Sequence, residues 1–123
     1  MASKVLIVDD EPNIILSLEF LMNQRGYETR VARDGDEALA EVERFRPDLV
    51  LLDVMLPRRD GFEVCQTLRA TGWSELKILM LTAKGRDVEI EKGLALGADG
   101  YVTKPFSTAE LVARVAAMLE GAR

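Results

Sequence analysis

Three short runs of Val, Ile and Leu, at residues 4–8, 48–52 and 77–81, are separated by longer stretches in which apolar residues recur about every 3.6 positions. This alternation predicts strands joined by helices, and hence a parallel sheet. Two weaker strands fill the gaps. Residues 27–32 alternate polar and apolar as a half-exposed strand should, and residues 100–103 lie just before Lys104-Pro105. Ile14, Leu18 and Leu21 mark the core side of the first helix, Leu39, Val42 and Phe45 that of the second, Phe62, Cys65 and Leu68 that of the third, and Leu111, Val115 and Met118 that of the last. Ser107 with Glu110 three residues on reads as a capping box opening the last helix, while Gly26, Gly72 and Gly97 read as helix stops. The expectation is an α/β fold: a doubly wound (βα)₅ unit, one domain over residues 1–123, with right-handed crossovers placing helices on both faces of a five-stranded parallel sheet.

In open parallel sheets ligands bind beyond the carboxyl ends of the strands, where the winding direction reverses. Those ends are polar here: the first strand runs into Asp9-Asp10-Glu11, the third into Asp53, the fourth into Thr82 and the fifth into Lys104. With a strand order of 2-1-3-4-5 the reversal falls between the first and third strands, and Asp9, Asp10 and Asp53 converge on one crevice. Three neighbouring carboxylates repel, so they either share protons or hold a hard cation. Mg²⁺ suits such a set, because it prefers oxygen ligands and commonly takes one or two carboxylates together with phosphate oxygens. Asp53 can then serve as a carboxylate nucleophile of the aspartyl-phosphate kind. Taken singly, each residue has a plainer reading: an Asp after a strand is usually a turn or cap residue, Asp9-Asp10-Glu11-Pro12 can open a helix, and Lys104 can be a solvated charge. Their joint appearance at four strand ends favours the chemical reading.

Composition narrows the field. A chain of 123 residues, 48% hydrophobic and 30% charged, is in the ordinary range for one globular core. A net charge of −5 gives no field that would hold nucleic acid or anionic lipid, so direct nucleic-acid binding is not expected. Cys65 is the only cysteine and histidine is absent, which excludes an internal disulfide and the usual zinc sites and points to a reducing compartment. No apolar run approaches the ~20 residues of a membrane span, and the N-terminus lacks the pattern of a signal peptide, so the cytoplasm is the expected location.

At these positions the sequence resembles the receiver domains of bacterial two-component response regulators. Val8-Asp9-Asp10-Glu11 is similar to their acidic pocket, and Leu52-Asp53-Val54-Met55-Leu56-Pro57 with Asp60-Gly61 to their phosphoacceptor segment. Leu81-Thr82-Ala83 and Tyr101-Val102-Thr103-Lys104-Pro105-Phe106 are similar to the two remaining signatures. The resemblance implies a flavodoxin-like sheet of order 2-1-3-4-5 and a phosphoacceptor signalling domain rather than a turnover enzyme. It implies that Asp53 takes a phosphoryl group from a sensor histidine kinase or phosphotransfer protein, and that Mg²⁺ is bound by Asp10, Asp53 and the Met55 backbone carbonyl, with Asp9 acting through a water. Lys104 would pair with phosphoryl oxygens and Thr82 would bond another; the Lys104-Pro105 bond would be cis.

The same resemblance implies a switch in which Thr82 is drawn toward the phosphoryl group and the ring of Tyr101 follows, rearranging the surface of the fourth helix, fifth strand and fifth helix. The resemblance implies that Met55 and Lys84 occupy the two variable positions that tune hydrolysis in this family, and neither suits the orientation of water, so a phosphorylated state lasting minutes or longer is expected. Ile15, Leu16 and Phe20 add further apolar positions to the first helix, which is then either buried further or bound to something; the resemblance implies a kinase-docking surface made by Ile15, Leu16 and Phe106, with ordinary core packing as the plainer reading. A homodimer through the switch surface would use Asp99 and Arg114, while Gly100 and Glu120 depart from its ion-pair scheme. The chain ends at Arg123 without an output domain, which fits either a single-domain regulator or a receiver from a longer protein. The main alternative is a docking module that works without phosphorylation. A flavin or nucleotide protein would need a Gly-, Ser- or Thr-rich first loop in place of Asp9-Asp10-Glu11, and an Asp-nucleophile hydrolase would need a different aspartate spacing and a substrate cap.

Overall fold

A computed structural model describes residues 2–83 and 86–121. Strands and helices alternate throughout: β1 (Lys4–Val8), α1 (Pro12–Gln24), β2 (Glu28–Ala32), α2 (Gly35–Phe45), β3 (Leu49–Asp53), α3 (Gly61–Ala70), β4 (Lys77–Ala83), α4 (Asp87–Ala95), β5 (Gly100–Lys104) and α5 (Thr108–Gly121). The five strands are parallel in the order β2-β1-β3-β4-β5, as expected. The bounds of β1 are the expected ones, and those of the other strands differ by one or two residues at one end or both.

Period-two alternation divides each central strand between two cores. Leu6, Val8, Val50, Leu52, Ile78 and Met80 face α2 and α3, where Val42, Phe45, Cys65 and Leu68 are buried against them. Val5, Ile7, Leu49, Leu51, Leu79 and Leu81 face α1 and α5, meeting Leu18, Met22, Leu111 and Val115. Both faces being covered is why β3 is buried at every position and reads as a continuous apolar run.

The caps are local and chemical. Pro12 occupies the first turn of α1, where its missing N–H costs nothing. Asp34 Oδ1 accepts from the Glu37 N–H at 2.8 Å and Asp60 Oδ1 from the Glu63 N–H at 2.9 Å, so α2 and α3 open on the same spacing as α5, where Ser107 Oγ accepts from the Glu110 N–H at 3.3 Å. Gly26, Gly72 and Gly97 have φ of 85°, 99° and 111°, left-handed values that end their helices as expected. Lys104-Pro105 is cis.

Two stripes turn out rotated by one residue. In α1 the buried positions are Ile15, Leu18 and Met22, with Ile14 and Leu21 only partly covered. Ile15, expected at a docking surface, therefore belongs to the interior, whereas Leu16 and Phe20 remain 69% and 65% exposed. Four apolar residues in five leave the stripe ambiguous to within the 100° that separates neighbours on a helix, and only packing on the sheet selects it. In α5 Leu119 is buried and Met118 half-buried, for the same reason.

Candidate functional site

Parallel strands all end at one edge, so the polar residues that follow them are neighbours regardless of sequence distance. Asp9 follows β1 directly and is tied to β2, its N–H donating to the Ala32 carbonyl at 3.1 Å. Asp53 closes β3 opposite Leu81, Thr82 comes next on β4, and Lys104 ends β5 opposite Ala83. Asp9, Asp53 and Thr82 are the buried polar side chains among the described residues, while Asp10 is exposed.

Lys104 joins two of the carboxylates. Its Nζ lies 2.8 Å from Asp9 Oδ2 and 3.4 Å from Asp53 Oδ2. The second oxygens are held by the backbone: Asp9 Oδ1 accepts from the Glu11 N–H at 3.0 Å, and Asp53 Oδ1 from the Met55 N–H at 3.2 Å. Asp10 completes a group in which one carboxylate oxygen from each aspartate lies within 4.8 Å of the others. Above it opens a cleft of about 530 Å³ lined by Asp10, Met55, Leu56, Pro57 and Asp60.

Burial pushes the Asp53 carboxyl up from 3.8 to about 6, the Asp9 charge adds to this, and Lys104 and the Met55 N–H oppose it. Lys104 shifts upward too: its own burial pulls the other way, but the hydrogen bond to Asp9 and the two carboxylate charges outweigh it. One ammonium against three carboxylates leaves two negative charges in excess. An all-oxygen donor set carrying that excess fits a hard divalent cation. Thr82 presents a further unmet demand, since its buried Oγ1 has no hydrogen-bond partner among the described residues.

Thus Asp9, Asp10, Asp53 and Lys104 meet at one place, Thr82 stands on the adjoining strand end, and Met55, 68% exposed, meets Asp53 through its backbone N–H. Tyr101 is half-buried on β5 with the Arg114 guanidinium 5.6 Å from its ring centroid. Lys84 lies outside the described residues. Asp99 already has partners within the chain: its Oδ2 accepts from Arg69 at 3.0 Å and from the Ile78 N–H at 2.8 Å. Arg114 likewise donates to the Tyr101 carbonyl at 3.1 Å.

Sequence reasoning missed the arginines next to the site. Arg59 Nε donates to Asp36 Oδ1 at 2.7 Å and Arg58 Nε lies 3.5 Å from Asp34 Oδ2, joining the β3–α3 loop to α2. The available signal was the spacing Asp34-x-x-Glu37, which marks Asp34 as a cap and so fixes where α2 begins.

A profile of the response regulator receiver domain family matches residues 5–116. Among solved structures, the chain is similar to a response regulator from Chloroflexus aurantiacus J-10-fl, with 39% identity, a TM-score of 0.93, and 98% of this chain and 99% of that one covered. It is also similar to the receiver domain of Francisella response regulator 1452, at 32% identity and TM-score 0.92 over 98% and 99% of the two chains. A third similar structure is the BeF3-activated N-terminal receiver domain of Klebsiella pneumoniae RstA, at 32% identity and TM-score 0.89 over 95% and 98%.

Proposed function

The chain belongs to the response regulator receiver domain family of two-component signalling, and from this premise we propose that residues 1–123 act as one receiver domain whose Asp53 accepts a phosphoryl group from a sensor histidine kinase or phosphotransfer protein. The observation that carries the reading is the place of the Asp53 carboxylate, at the edge of an acidic cluster and 3.4 Å from the Lys104 ammonium. A carboxyl titrating at about 6 is mostly ionised at neutral pH and hence nucleophilic. In the transfer an Asp53 oxygen bonds to phosphorus as the P–N bond of a phosphohistidine breaks, the electron pair leaving on the imidazole nitrogen. Lys104 then pairs with phosphoryl oxygens, and the Thr82 hydroxyl, which has no partner among the described residues, donates to another. Mg²⁺, held by the carboxylates of Asp10 and Asp53 and the Met55 carbonyl, with Asp9 acting through a water, would neutralise charge on the transferring group.

Modification adds roughly two negative charges and three acceptor oxygens beside Thr82. Thr82 moves toward them, Tyr101 follows, and the surface of α4, β5 and α5 changes for a partner or output. The exposed Leu16 and Phe20 on α1, with the half-buried Phe106 after β5, offer an apolar patch for kinase phosphotransfer helices. A homodimer through α4, β5 and α5 would first have to exchange the contacts that hold Asp99 and Arg114 within the chain. The domain acts as a phosphoacceptor rather than a turnover enzyme, in the cytoplasm; among the described residues no helix is long and apolar enough to cross a membrane.

The test is intact mass after incubation with acetyl phosphate and Mg²⁺. A gain of about 80 Da, the mass of one phosphoryl group, that disappears in Asp53→Asn and with chelator supports the reading. No gain from acetyl phosphate or from histidine-kinase donors would leave a phosphorylation-independent docking module as the better description.

A further inference from the structure

Between Asp53 and α3 the chain runs through a loop, residues 54–60, whose ends are fixed at the site. At one end the Met55 N–H donates to Asp53 Oδ1 at 3.2 Å. At the other, the Gly61 N–H donates to the Val54 carbonyl at 2.9 Å, and Gly61 lies so close that a Cβ there would overlap the Asp53 carbonyl oxygen.

The middle of the loop rests on the first turn of α2. The Gly35 N–H donates to the Pro57 carbonyl at 3.4 Å, and a Cβ on Gly35 would overlap the carbonyl oxygen and Cβ of Arg59, so the two backbones touch. Two ion pairs flank that contact, Arg59 with Asp36 at 2.7 Å and Arg58 with Asp34 at 3.5 Å. Arg58 has φ of 68°, a left-handed conformation that a long side chain adopts only when its surroundings impose it. A strained loop relaxes when released, so what anchors it also sets where the Met55 backbone stands.

We propose that the first turn of α2 positions the site: Gly35, by backbone contact, and the pairs Asp34–Arg58 and Asp36–Arg59 hold the 54–60 loop so that the Met55 backbone faces Asp53 and the cation. This rests on the reading of Asp53 as a cation-assisted phosphoacceptor. The residues act through the loop and are positioning residues. Because the Arg59–Asp36 pair and the Arg58 side chain are exposed, their hold weakens as ionic strength rises, which makes cation affinity salt-sensitive beyond simple screening of the carboxylates.

Arg59→Ala, Asp36→Ala, the charge-swapped double Arg59→Asp with Asp36→Arg, and Gly35→Ala would be compared with the wild type. Three readouts apply: Mg²⁺ affinity by calorimetry, hydrogen exchange of residues 54–60, and phosphorylation by acetyl phosphate. Each single alanine variant should weaken Mg²⁺ binding about threefold, within the range one exposed ion pair carries, and speed exchange in 54–60 while leaving exchange in the sheet unchanged. The swapped double should recover both, and Gly35→Ala should lose more than either single variant. Unchanged affinity and loop exchange in the singles, or a swapped double no better than they are, would overturn the proposal. A wild type that binds Mg²⁺ yet takes no phosphoryl group would instead sink the functional reading, while affinity and exchange still decide the positioning role.

Discussion

Lys104 Nζ donates to Asp9 Oδ2 at 2.8 Å across 95 residues of sequence, and Asp9 is fully buried. A buried carboxylate at the end of a strand stands only if a cation reaches it, and the β5 terminus supplies that cation because β1 and β5 point the same way. Lys104→Met leaves two buried carboxylates without their ammonium. Breaking a buried pair costs about 3–5 kcal/mol, and with 22% of the Lys104 side chain in water a loss of about 2 kcal/mol is expected near neutral pH. Urea denaturation of the metal-free protein would measure it; a change under about 0.5 kcal/mol would show that solvent already screens the pair.

The raised Asp53 carboxyl has a signed consequence. Its folded value of about 6 lies above the ordinary 3.8, so between these two the folded state binds more protons than the unfolded state and stability falls as pH rises. Above about pH 6 the loss is complete, at most about 3 kcal/mol. Asp53→Asn should therefore stabilise the metal-free protein by about 1–2 kcal/mol at neutral pH, with the gain shrinking toward pH 4. Thermal melts across that range decide it, and a gain independent of pH would assign the effect to something other than ionisation.

Mg²⁺ should close that gap from the other side. Bound to the folded state alone, it raises the wild-type melting temperature with concentration, more than it raises that of Asp53→Asn. Equal shifts in both proteins would remove Asp53 from the cation site.

Arg69 is a structural clamp on the far end of the sheet. Its guanidinium donates to the carbonyls of Gly97 at 3.0 Å and Leu76 at 2.7 Å, to that of Trp73, and to Asp99 at 3.0 Å, tying α3 to the loops before β4 and β5. Arg69→Met strands these acceptors and should cost about 2–4 kcal/mol by urea denaturation. Arg69→Lys should recover less than half, because one ammonium cannot span the fork.

Met55 stands exposed at the mouth of the cleft and offers water no hydrogen bond through its side chain. The phosphorylated protein with Mg²⁺ should last minutes or longer by intact mass, and Met55→Asn should shorten that lifetime severalfold by giving an attacking water a partner. A wild-type lifetime of seconds would contradict this.

The fold was legible because its signals are local. Runs such as residues 49–52, stripes such as Phe62–Cys65–Leu68, and stops such as Gly97 each act within a few residues, and together they specify alternating strands and helices. The clustering of the candidate site was legible for a related reason: parallel winding brings every strand end to one edge, so Asp9, Asp53, Thr82 and Lys104 stand out by following apolar runs. A stripe in an over-apolar helix was not legible. Sequence offers Ile14 and Ile15 equally, and the choice of Ile15 came from how α1 lies on the sheet.

Sequence by itself determined the elements and the kinds of side chain at the strand ends, because these follow from periodicity and chain direction, while the strand order came with the family resemblance. Tertiary structure alone decided which charges are satisfied within the chain. Asp99 pairs with Arg69 within the chain, Arg58 and Arg59 fasten the β3–α3 loop to α2, and the Thr82 hydroxyl has no partner among the described residues. Ion pairs and orphaned donors depend on distances of a few ångströms between segments far apart in sequence, and no periodicity encodes them.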